Sequence, residues 1–138
     1  MSYSTAFPQA ISIILYIHVK MEDFEYRFMP IKTIAEALNI PAPTVVKIIK
    51  SLNAAGITTS KEGASGGILL SKPLSTITLL DVFLAIEPGK PLFKAQTKYG
   101  ISGEYVDHLN RNLLKSLRDA EEAMKKSLQS VRLVDMLR

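Results

Sequence analysis

The sequence predicts a mainly α-helical fold with one small β-hairpin and a long C-terminal helix. Apolar residues recur at steps of three and four through most of the chain, which is the spacing of amphipathic helices. Between residues 57 and 71, strand-forming residues instead flank a glycine-rich stretch, which is typical of a hairpin. With 138 residues, 47% of them hydrophobic, the chain suits one compact domain or a small domain with an appendage.

Composition excludes several classes of site. Seventeen Lys and Arg against thirteen Asp and Glu leave a net charge of +4, which permits an anionic partner such as nucleic acid without identifying one. The absence of cysteine excludes disulfides, a thiolate nucleophile, a Cys-ligated zinc and a Cys-held iron–sulfur cluster. The two histidines, His18 and His108, have no metal-binding spacing, and the sequence has no nucleophile elbow. We therefore expect no metal, no cofactor and no catalytic residue.

The longest apolar stretch, Ala10 to Ile17, is far shorter than the ~20 residues that span a bilayer. No basic residue precedes this stretch, and acidic Glu22, Asp23 and Glu25 follow it, which is not the pattern of a signal peptide. The sequence therefore favours a cytoplasmic protein that does not enter a membrane.

The first helix is predicted to begin at Thr5, with Pro8 in the first turn, and to run to about Lys20. Its apolar residues surround the whole helix, so both sides require burial. In so small a domain one side can face the core, and the other most easily contacts a second copy of the chain. We therefore expect Ile11 and Ile14 to lie in a homodimer interface.

A helix-turn-helix is predicted after a connection at residues 21–29. Apolar residues at helical spacing give a short second helix that ends at Asn39, a residue that tolerates a left-handed C-terminal conformation. Pro41 and Pro43 fit the opening of a third helix, and Gly56 supplies its end. One face of this helix is aliphatic and the other is small, polar and basic, as a recognition helix requires. That outer face presents Pro43, Thr44, Lys47, Lys50, Ser51 and Ala54.

The next segment predicts a β-hairpin with a glycine-rich tip. Strand-forming residues 57–61 and 68–71 flank the sequence from Glu62 to Gly67. A helix-turn-helix followed directly by such a hairpin is a winged helix-turn-helix. Thr78 then caps a fourth helix that has Asp81 in its first turn. A stretch rich in Pro and Gly ends that helix and begins an irregular linker.

One long amphipathic helix is predicted from Glu104 onward, about 28 residues or roughly 40 Å in length. Such a helix overreaches a small winged-helix domain and leaves much of its apolar stripe in water. A two-fold partner that offers the same helix in return is the economical way to bury this stripe. The interface residues predicted on the helix are Val106, Leu109, Leu113, Leu117, Ala120, Met124 and Leu128.

Several short segments, in their order and spacing, carry a resemblance to a known family. They are Ile34-Ala35, Asn39-Ile40, Val45-Val46-Lys47, Leu52 to Ile57, the wing Gly63 to Gly67 with Leu70 to Pro73, and Ile77 to Val82. Over residues 3–87, and more weakly at Leu133 to Met136, the chain resembles the Rrf-type family of bacterial transcription regulators. The resemblance implies a homodimeric winged-helix protein that binds a pseudo-palindromic operator, usually as a repressor.

The chain departs from the pattern of that family in two places. Cluster-binding members carry three cysteines between the fourth helix and the long helix, whereas residues 87–107 contain none, so an iron–sulfur sensor is excluded. The wing of many members reads Arg-Gly-Pro-Gly-Gly-Gly-Tyr, and here Glu62 replaces the Arg, with Ala, Ser and Ile at three further positions. Because Glu62 repels phosphate, a DNA contact by the wing depends on the charge of neighbouring Lys61.

Within this arrangement Lys47 and Lys50 are predicted to contact a guanine edge or the phosphate backbone. Thr44 can meet a thymine methyl or a phosphate, and hydroxyls at helix starts either donate to phosphates or serve as caps. The glycine-rich tip forms a turn whose N–H groups can touch a phosphate. The predicted DNA contacts are Ser4, Thr5, Thr33, Pro43, Thr44, Lys47, Lys50, Ser51, Lys61, Gly63, Ala64, Ser65, Gly66, Gly67 and Lys72.

The sequence thus predicts a winged helix-turn-helix domain at residues 1–87, a linker at 88–102, and a dimerisation helix with a tail at 103–138. The predicted function is that of a transcriptional repressor that binds double-stranded operator DNA as a homodimer without an iron–sulfur cluster. A small-molecule or protein effector, which the sequence does not identify, would supply the regulatory signal.

Two alternatives stay open at this point. The first is a winged helix that binds another protein instead of DNA. Glu62 favours it slightly, as does the small basic excess of residues 1–86, seven Lys and Arg against six Asp and Glu. The second is a small enzyme, which has no convergent acid-base or nucleophilic group in its favour.

Overall fold

Five α-helices and one two-stranded antiparallel sheet form the part of the chain that the computed structural model describes, namely residues 4–24, 28–89, 91–94, 96 and 98–138. The predicted mainly α-helical fold with a hairpin and a long C-terminal helix is confirmed. The elements in chain order are α1 (Ala6–Phe24), α2 (Ile31–Leu38), α3 (Ala42–Ala54), β1 (Thr58–Lys61), β2 (Gly67–Leu70), α4 (Leu79–Ile86) and α5 (Glu104–Gln129). Two 3₁₀ turns that the sequence did not predict lie at Leu74–Thr76 and Leu133–Leu137.

The turn between α2 and α3 has the backbone geometry that its residues favour. Asn39 ends α2 in the left-handed region, at φ 54° and ψ 44°. The N–H of Ile40 then donates to the carbonyl oxygen of Ala35 over 3.1 Å, which satisfies one of the last carbonyls of α2. Pro41 precedes α3 with extended backbone, and its carbonyl oxygen accepts from Thr44 and Val45. The predicted helix-turn-helix is therefore present.

The hairpin is joined to the helices by one extra backbone pairing. β1 and β2 pair from Thr58 opposite Leu70 to Lys61 opposite Gly67. The backbone of Met29 also exchanges two hydrogen bonds of 2.8 Å with that of Ile68. These bonds anchor the hairpin to the connection between α1 and α2.

Glycine is required where the hairpin meets this connection. Gly67 has a φ of +146°, and a Cβ built on it would lie 2.4 Å from the carbonyl oxygen of Met29. A Cβ on Gly66 would lie 2.1 Å from the carbonyl oxygen of Lys61. Since any larger residue would displace backbone, both glycines have a structural role in the wing.

The core is formed by the inner faces of α1, α2, α3 and α4 together with the hairpin. Helix α1 supplies Ile13, Ile14 and Ile17, all with no exposed surface. The interface predicted for Ile14 is corrected on this point, because a side chain fully buried in its own protomer has no surface left for a partner. Ile11 is half-buried and lies at the edge of the core. Helix α1 also continues beyond the predicted end at Lys20, into the segment that was interpreted as a connection.

The segment after α5 returns to the winged-helix core. Leu133 has no exposed surface and is part of the core cluster. The N–H of Leu133 donates to the carbonyl oxygen of Ile77 over 2.8 Å, and that of Leu79 donates to Val131 over 2.9 Å. Between these bonds Thr78 and Asp81 form the predicted cap of α4, each side chain accepting the other residue's backbone N–H. The C-terminal segment therefore helps to hold the start of α4.

Helix α5 packs against α4 and exposes much of its remaining surface. None of its residues is fully buried, although apolar residues recur along one face at helical spacing. No helix that the structure describes combines the length and the apolarity needed to cross a lipid bilayer.

Removal of the Leu133 side chain tests whether the C-terminal segment belongs to the core. Leu133→Ala is expected to lower the free energy of unfolding by about 2–5 kcal/mol, because it leaves a cavity in a packed interior. Leu137→Ala, at a residue 48% exposed in the same 3₁₀ turn, should change it by less than about 0.5 kcal/mol. Urea denaturation followed by circular dichroism at one protein concentration measures both, and equal small losses would contradict the assignment.

Candidate nucleic-acid interface

The start of α1 and the outer face of α3 form the two walls of an open cleft of about 520 Å³. The cleft brings together six residues that the sequence predicted as DNA contacts, although they come from two distant parts of the chain. They are Ser4, Thr5, Pro43, Thr44, Lys47 and Ser51. The cleft therefore brings together predicted contacts that are almost forty residues apart in the sequence.

Burial divides α3 into an inner and an outer face. Its inner face consists of Val45, Ile48, Ile49 and Leu52, all of them buried. On the outer face Pro43, Lys47 and Lys50 are exposed, whereas Thr44 and Ser51 are half-buried on the flank toward α1. Lys47 and Lys50 are one helical turn apart, so their ammonium groups lie on the same exposed face.

Val46 is an exposed residue of α3 that the sequence pattern did not assign to the site. Its exposed fraction is 39%, while that of neighbouring Val45 is 0%. It lies on the flank of the outer face that points away from the cleft, since Val46 is absent from the cleft lining. Helical spacing assigned Val46 neither to the aliphatic face nor to the polar face of α3, because it lies at the border between the two.

Ser4 caps α1 and contacts a buried carboxyl group at the end of α4. Its Oγ accepts from the N–H of Ala6 at 3.3 Å and donates to Oε1 of Glu87 at 3.1 Å. The backbone N–H of Ser4 donates to the same oxygen at 3.3 Å, and Glu87 is only 2% exposed. The hydrogen bond from Ala6 is that of a capping residue, and a phosphate contact by Ser4 stays a prediction. Thr5 is exposed at the helix start beside it.

The wing presents one cation next to its glycine-rich tip. The Nζ of Lys61 lies 5.6 Å from the centre of the Phe28 ring, within the range of a cation–π interaction. Lys61 and Glu62 are both exposed, as are Gly63, Ala64 and Ser65. The ring of Phe28 therefore favours a position of the Lys61 charge at the base of the tip.

Asn53 connects α3 to the wing, a role that the sequence pattern did not reveal. Its Oδ1 accepts from Thr58 Oγ1 at 2.6 Å, and its Nδ2 donates to Ser60 Oγ at 2.7 Å. Thr58 is 3% exposed, so its hydroxyl depends on this partner. The sequence offered one signal of this link. Asn53 is a polar residue in the last turn of α3, five residues before a threonine of the first strand.

Thr33 and Lys72 are predicted contacts that lie apart from the cleft, from the outer face of α3 and from the glycine-rich tip. Thr33 is exposed in the first turn of α2. Lys72 is exposed beyond the end of β2, where it lines a different cleft with His18, Met21 and Glu22 of α1. His18, Met21 and Glu22 belong to the C-terminal half of α1, whereas the cleft between α1 and α3 lies at the start of α1. The structure therefore does not bring Lys72 to the predicted contacts in that cleft.

A second candidate surface is the apolar face of α5. Leu109 is 51% exposed and Leu113 is 44% exposed. Ala120 is exposed as well, and the other predicted interface residues of this helix are half-buried, namely Val106, Leu117, Met124 and Leu128. The most exposed leucines of the stripe thus lie in the half of α5 that follows the linker.

Comparison with known proteins gives one family. The family model for Rrf2, described as an iron-dependent transcriptional regulator, matches residues 3–138. The chain is 34% identical over 96 residues to YffB of Lactococcus lactis subsp. lactis (strain IL1403), whose name places it among HTH-type transcriptional regulators. That match covers 70% of this chain and 60% of YffB, so the chain matches less than two thirds of the relative's length.

Solved structures show the same fold. A Lactobacillus plantarum protein described as a candidate transcriptional regulator has a TM-score of 0.78 at 18% identity, covering 96% of this chain and 87% of its own. CymR (YrzC), the global cysteine regulator of B. subtilis, has a TM-score of 0.68 at 24% identity, covering 99% of this chain and 95% of its own. At these identities the likeness concerns the fold.

The residues present do not fit an iron site. The sequence has no cysteine, and no three His, Asp or Glu side chains in the described residues converge as metal ligands. His108 lies beside Glu104 and Arg111 on the exposed start of α5, at 3.4 Å and 3.1 Å. The positive charge of the Arg111 guanidinium disfavours a cation bound at His108.

Substitution of Asn53 tests the link between α3 and the wing. Asn53→Ala is expected to lower the free energy of unfolding by about 1–3 kcal/mol, because the buried Thr58 hydroxyl loses its acceptor. Asn53→Asp keeps an acceptor for Thr58 and loses only the donation to Ser60, so a smaller loss is expected. Urea denaturation of the two variants measures the difference, and equal effects would contradict the role of the Thr58 contact.

Proposed function

Because the chain belongs to the Rrf2 family of transcriptional regulators, we propose that it is a DNA-binding repressor that acts as a homodimer on a two-fold symmetric operator. The observation that carries the proposal is the cleft between α1 and α3, which collects six predicted contacts beside the exposed lysines of a recognition helix. The repressor role, the operator and the homodimer are parts of this proposal, as is the cytoplasmic location.

Helix α3 is the element that would enter the major groove. Its aliphatic face is buried in the core, so its outer face is free to approach the base edges. Lys47 and Lys50 carry positive charge on that face and suit a guanine edge or a phosphate. The exposed Thr5, just before α1, would donate to a backbone phosphate at the edge of the groove.

The wing would add contacts to the adjacent backbone. Lys61 supplies the positive charge, and the exposed tip from Gly63 to Ser65 offers backbone N–H groups. Glu62 opposes this contact, since its carboxylate is exposed at the same tip. We therefore propose that the wing contributes less to affinity than α3 does.

The homodimer would form through α5. This helix has 26 residues, about 39 Å of length, and it exposes Leu109 and Leu113 on one face. A second copy that offers the same face buries both stripes around a two-fold axis, with Ile11 of α1 at the edge. Such a dimer fixes the separation of the two α3 helices, which must be about 34 Å to reach successive major grooves.

Repression would follow when the bound dimer blocks access of RNA polymerase to a promoter. A regulatory signal, from a small molecule or a protein, has to favour a dimer geometry that fits the operator spacing less well. Because no residue set in the described part of the chain suits an iron–sulfur cluster, we propose that the signal does not act through one.

A second candidate function is the binding of another protein through the same winged helix. The exposed Glu62 and the small basic excess of residues 1–86 favour it, since both weaken attraction to DNA. The two functions differ in what the lysines of α3 do. Removal of the two lysine charges therefore separates DNA binding from protein binding.

Lys47→Ala combined with Lys50→Ala is expected to lower DNA affinity by about tenfold or more, and to flatten the salt dependence by about one unit of log–log slope for each phosphate that is no longer neutralised. Fluorescence anisotropy at two salt concentrations, with DNA selected from a random pool, measures both effects. Lys94→Ala combined with Lys98→Ala removes the same charge from the exposed linker and should leave the affinity nearly unchanged. Failure of the random pool to yield a palindromic consensus would overturn DNA recognition and favour the protein-binding alternative.

Leu113→Glu is expected to convert the dimer into a monomer, because it places a charge in the centre of the apolar face of α5. Asn112→Glu adds the same charge at an exposed position on the flank of that helix and should leave the dimer intact. Sedimentation equilibrium of the wild type and the two variants measures the mass. A monomeric wild type at working concentration would contradict the proposed assembly.

A further inference from the structure

Val46 is not one of the side chains that form the core of the protomer. It is 39% exposed, although the four aliphatic residues that face the core from the same helix are all buried. A β-branched residue also gives an exposed helical position nothing in propensity, since its side chain loses rotamer freedom there and alanine would stabilise the helix more. The exposed part of the Val46 side chain is therefore an apolar surface that a partner of the protomer can contact.

The surroundings of Val46 are those of a groove-facing position. Pro43, one turn earlier on α3, is exposed, and so is Lys50, one turn later. The side chain of Lys47 follows directly and is exposed as well. Val46 and Pro43 thus form a small apolar surface that Lys47 and Lys50 border. The two cations would hold this surface against an anionic partner.

The chemistry of the major groove limits what such an apolar surface can contact. Base edges present nitrogen and oxygen donors and acceptors there, and the C5-methyl group of thymine is their apolar feature. An apolar side chain that reaches the base edges gains most when it covers this methyl, since both surfaces leave water together. Thr44 was the residue predicted to make this contact, but it is half-buried on the opposite flank, in the cleft toward α1.

We propose that Val46 reads the 5-methyl group of a thymine in each half of the operator, an inference that rests on the proposed entry of α3 into the major groove. In this role Val46 determines sequence specificity, and Lys47 and Lys50 supply affinity. The contact is made with the methyl group alone, so it involves no hydrogen bond to the base.

The test replaces thymines of the selected DNA by deoxyuridine, one symmetric pair at a time. Deoxyuridine lacks the methyl and keeps every hydrogen-bonding group, so the substitution isolates the apolar contact. For the wild-type chain, replacement of the thymine pair that Val46 contacts is expected to weaken binding by about 15-fold. This is about fourfold for each methyl group, which is the effect of burying one methyl-sized group. Val46→Ala should bind the thymine and deoxyuridine forms of that pair equally, as fluorescence anisotropy measures.

Val19→Ala is the matched control, because Val19 is 38% exposed and lies on α1. This variant should keep the wild-type ratio between the two DNA forms, whatever its absolute affinity. A ratio that stays at the wild-type value in Val46→Ala overturns the inference, since another residue then reads the methyl. So does a wild type that binds a palindromic DNA with no sensitivity to deoxyuridine, a result that leaves the proposed function intact. Absence of any DNA binding overturns the proposed function itself.

Discussion

The burial of one face of α3 is the constraint on which the rest of this structure depends. Val45, Ile48, Ile49 and Leu52 insert into a core built by α1, α2, α4 and the hairpin. Because four aliphatic side chains fix the rotation of the helix about its axis, its opposite face has one orientation toward solvent. The same burial places the start of α1 beside the outer face, and the cleft between them follows from it.

The hairpin depends on this anchored helix in turn. Asn53 in the last turn of α3 holds Thr58 and Ser60 of the first strand by side-chain hydrogen bonds. The backbone pairing of Met29 with Ile68 holds the second strand from the other side. The wing is therefore held from one side by α3 and from the other by the connection between α1 and α2, and both attachments fix its angle relative to α3.

Elements with strong local signals could be predicted from the sequence. Some helix ends are set by signals that act within a few residues, so the local sequence predicts where those helices begin and end. These signals are the left-handed Asn39, the prolines at the start of α3 and the Thr78–Asp81 cap. Six of the residues that line the cleft could also be named, because helical spacing placed four of them on one face of α3 and the capping pattern placed the other two at the start of α1. The family was recognised from the order of short segments, and the family model confirms it.

The remaining features depend on contacts between residues far apart in sequence, which periodicity does not reveal. Ile14 was assigned to an interface because α1 is apolar on all sides, and only the packed structure shows which side the core occupies. Helical spacing placed Val45 on the buried face of α3 and assigned Val46 to neither face, and only the packed structure shows how much of Val46 is exposed. Lys72 was predicted as a DNA contact because it follows the wing in the sequence. In the structure it lies beside the C-terminal half of α1.

The return of Leu133 to the core has a consequence for biosynthesis. Most of the core lies upstream of residue 87, yet its packing is completed by a side chain that the ribosome makes after the whole of α5. During translation the nascent winged helix thus exposes an apolar gap until that residue emerges, and sequence-distant contacts of this kind slow folding.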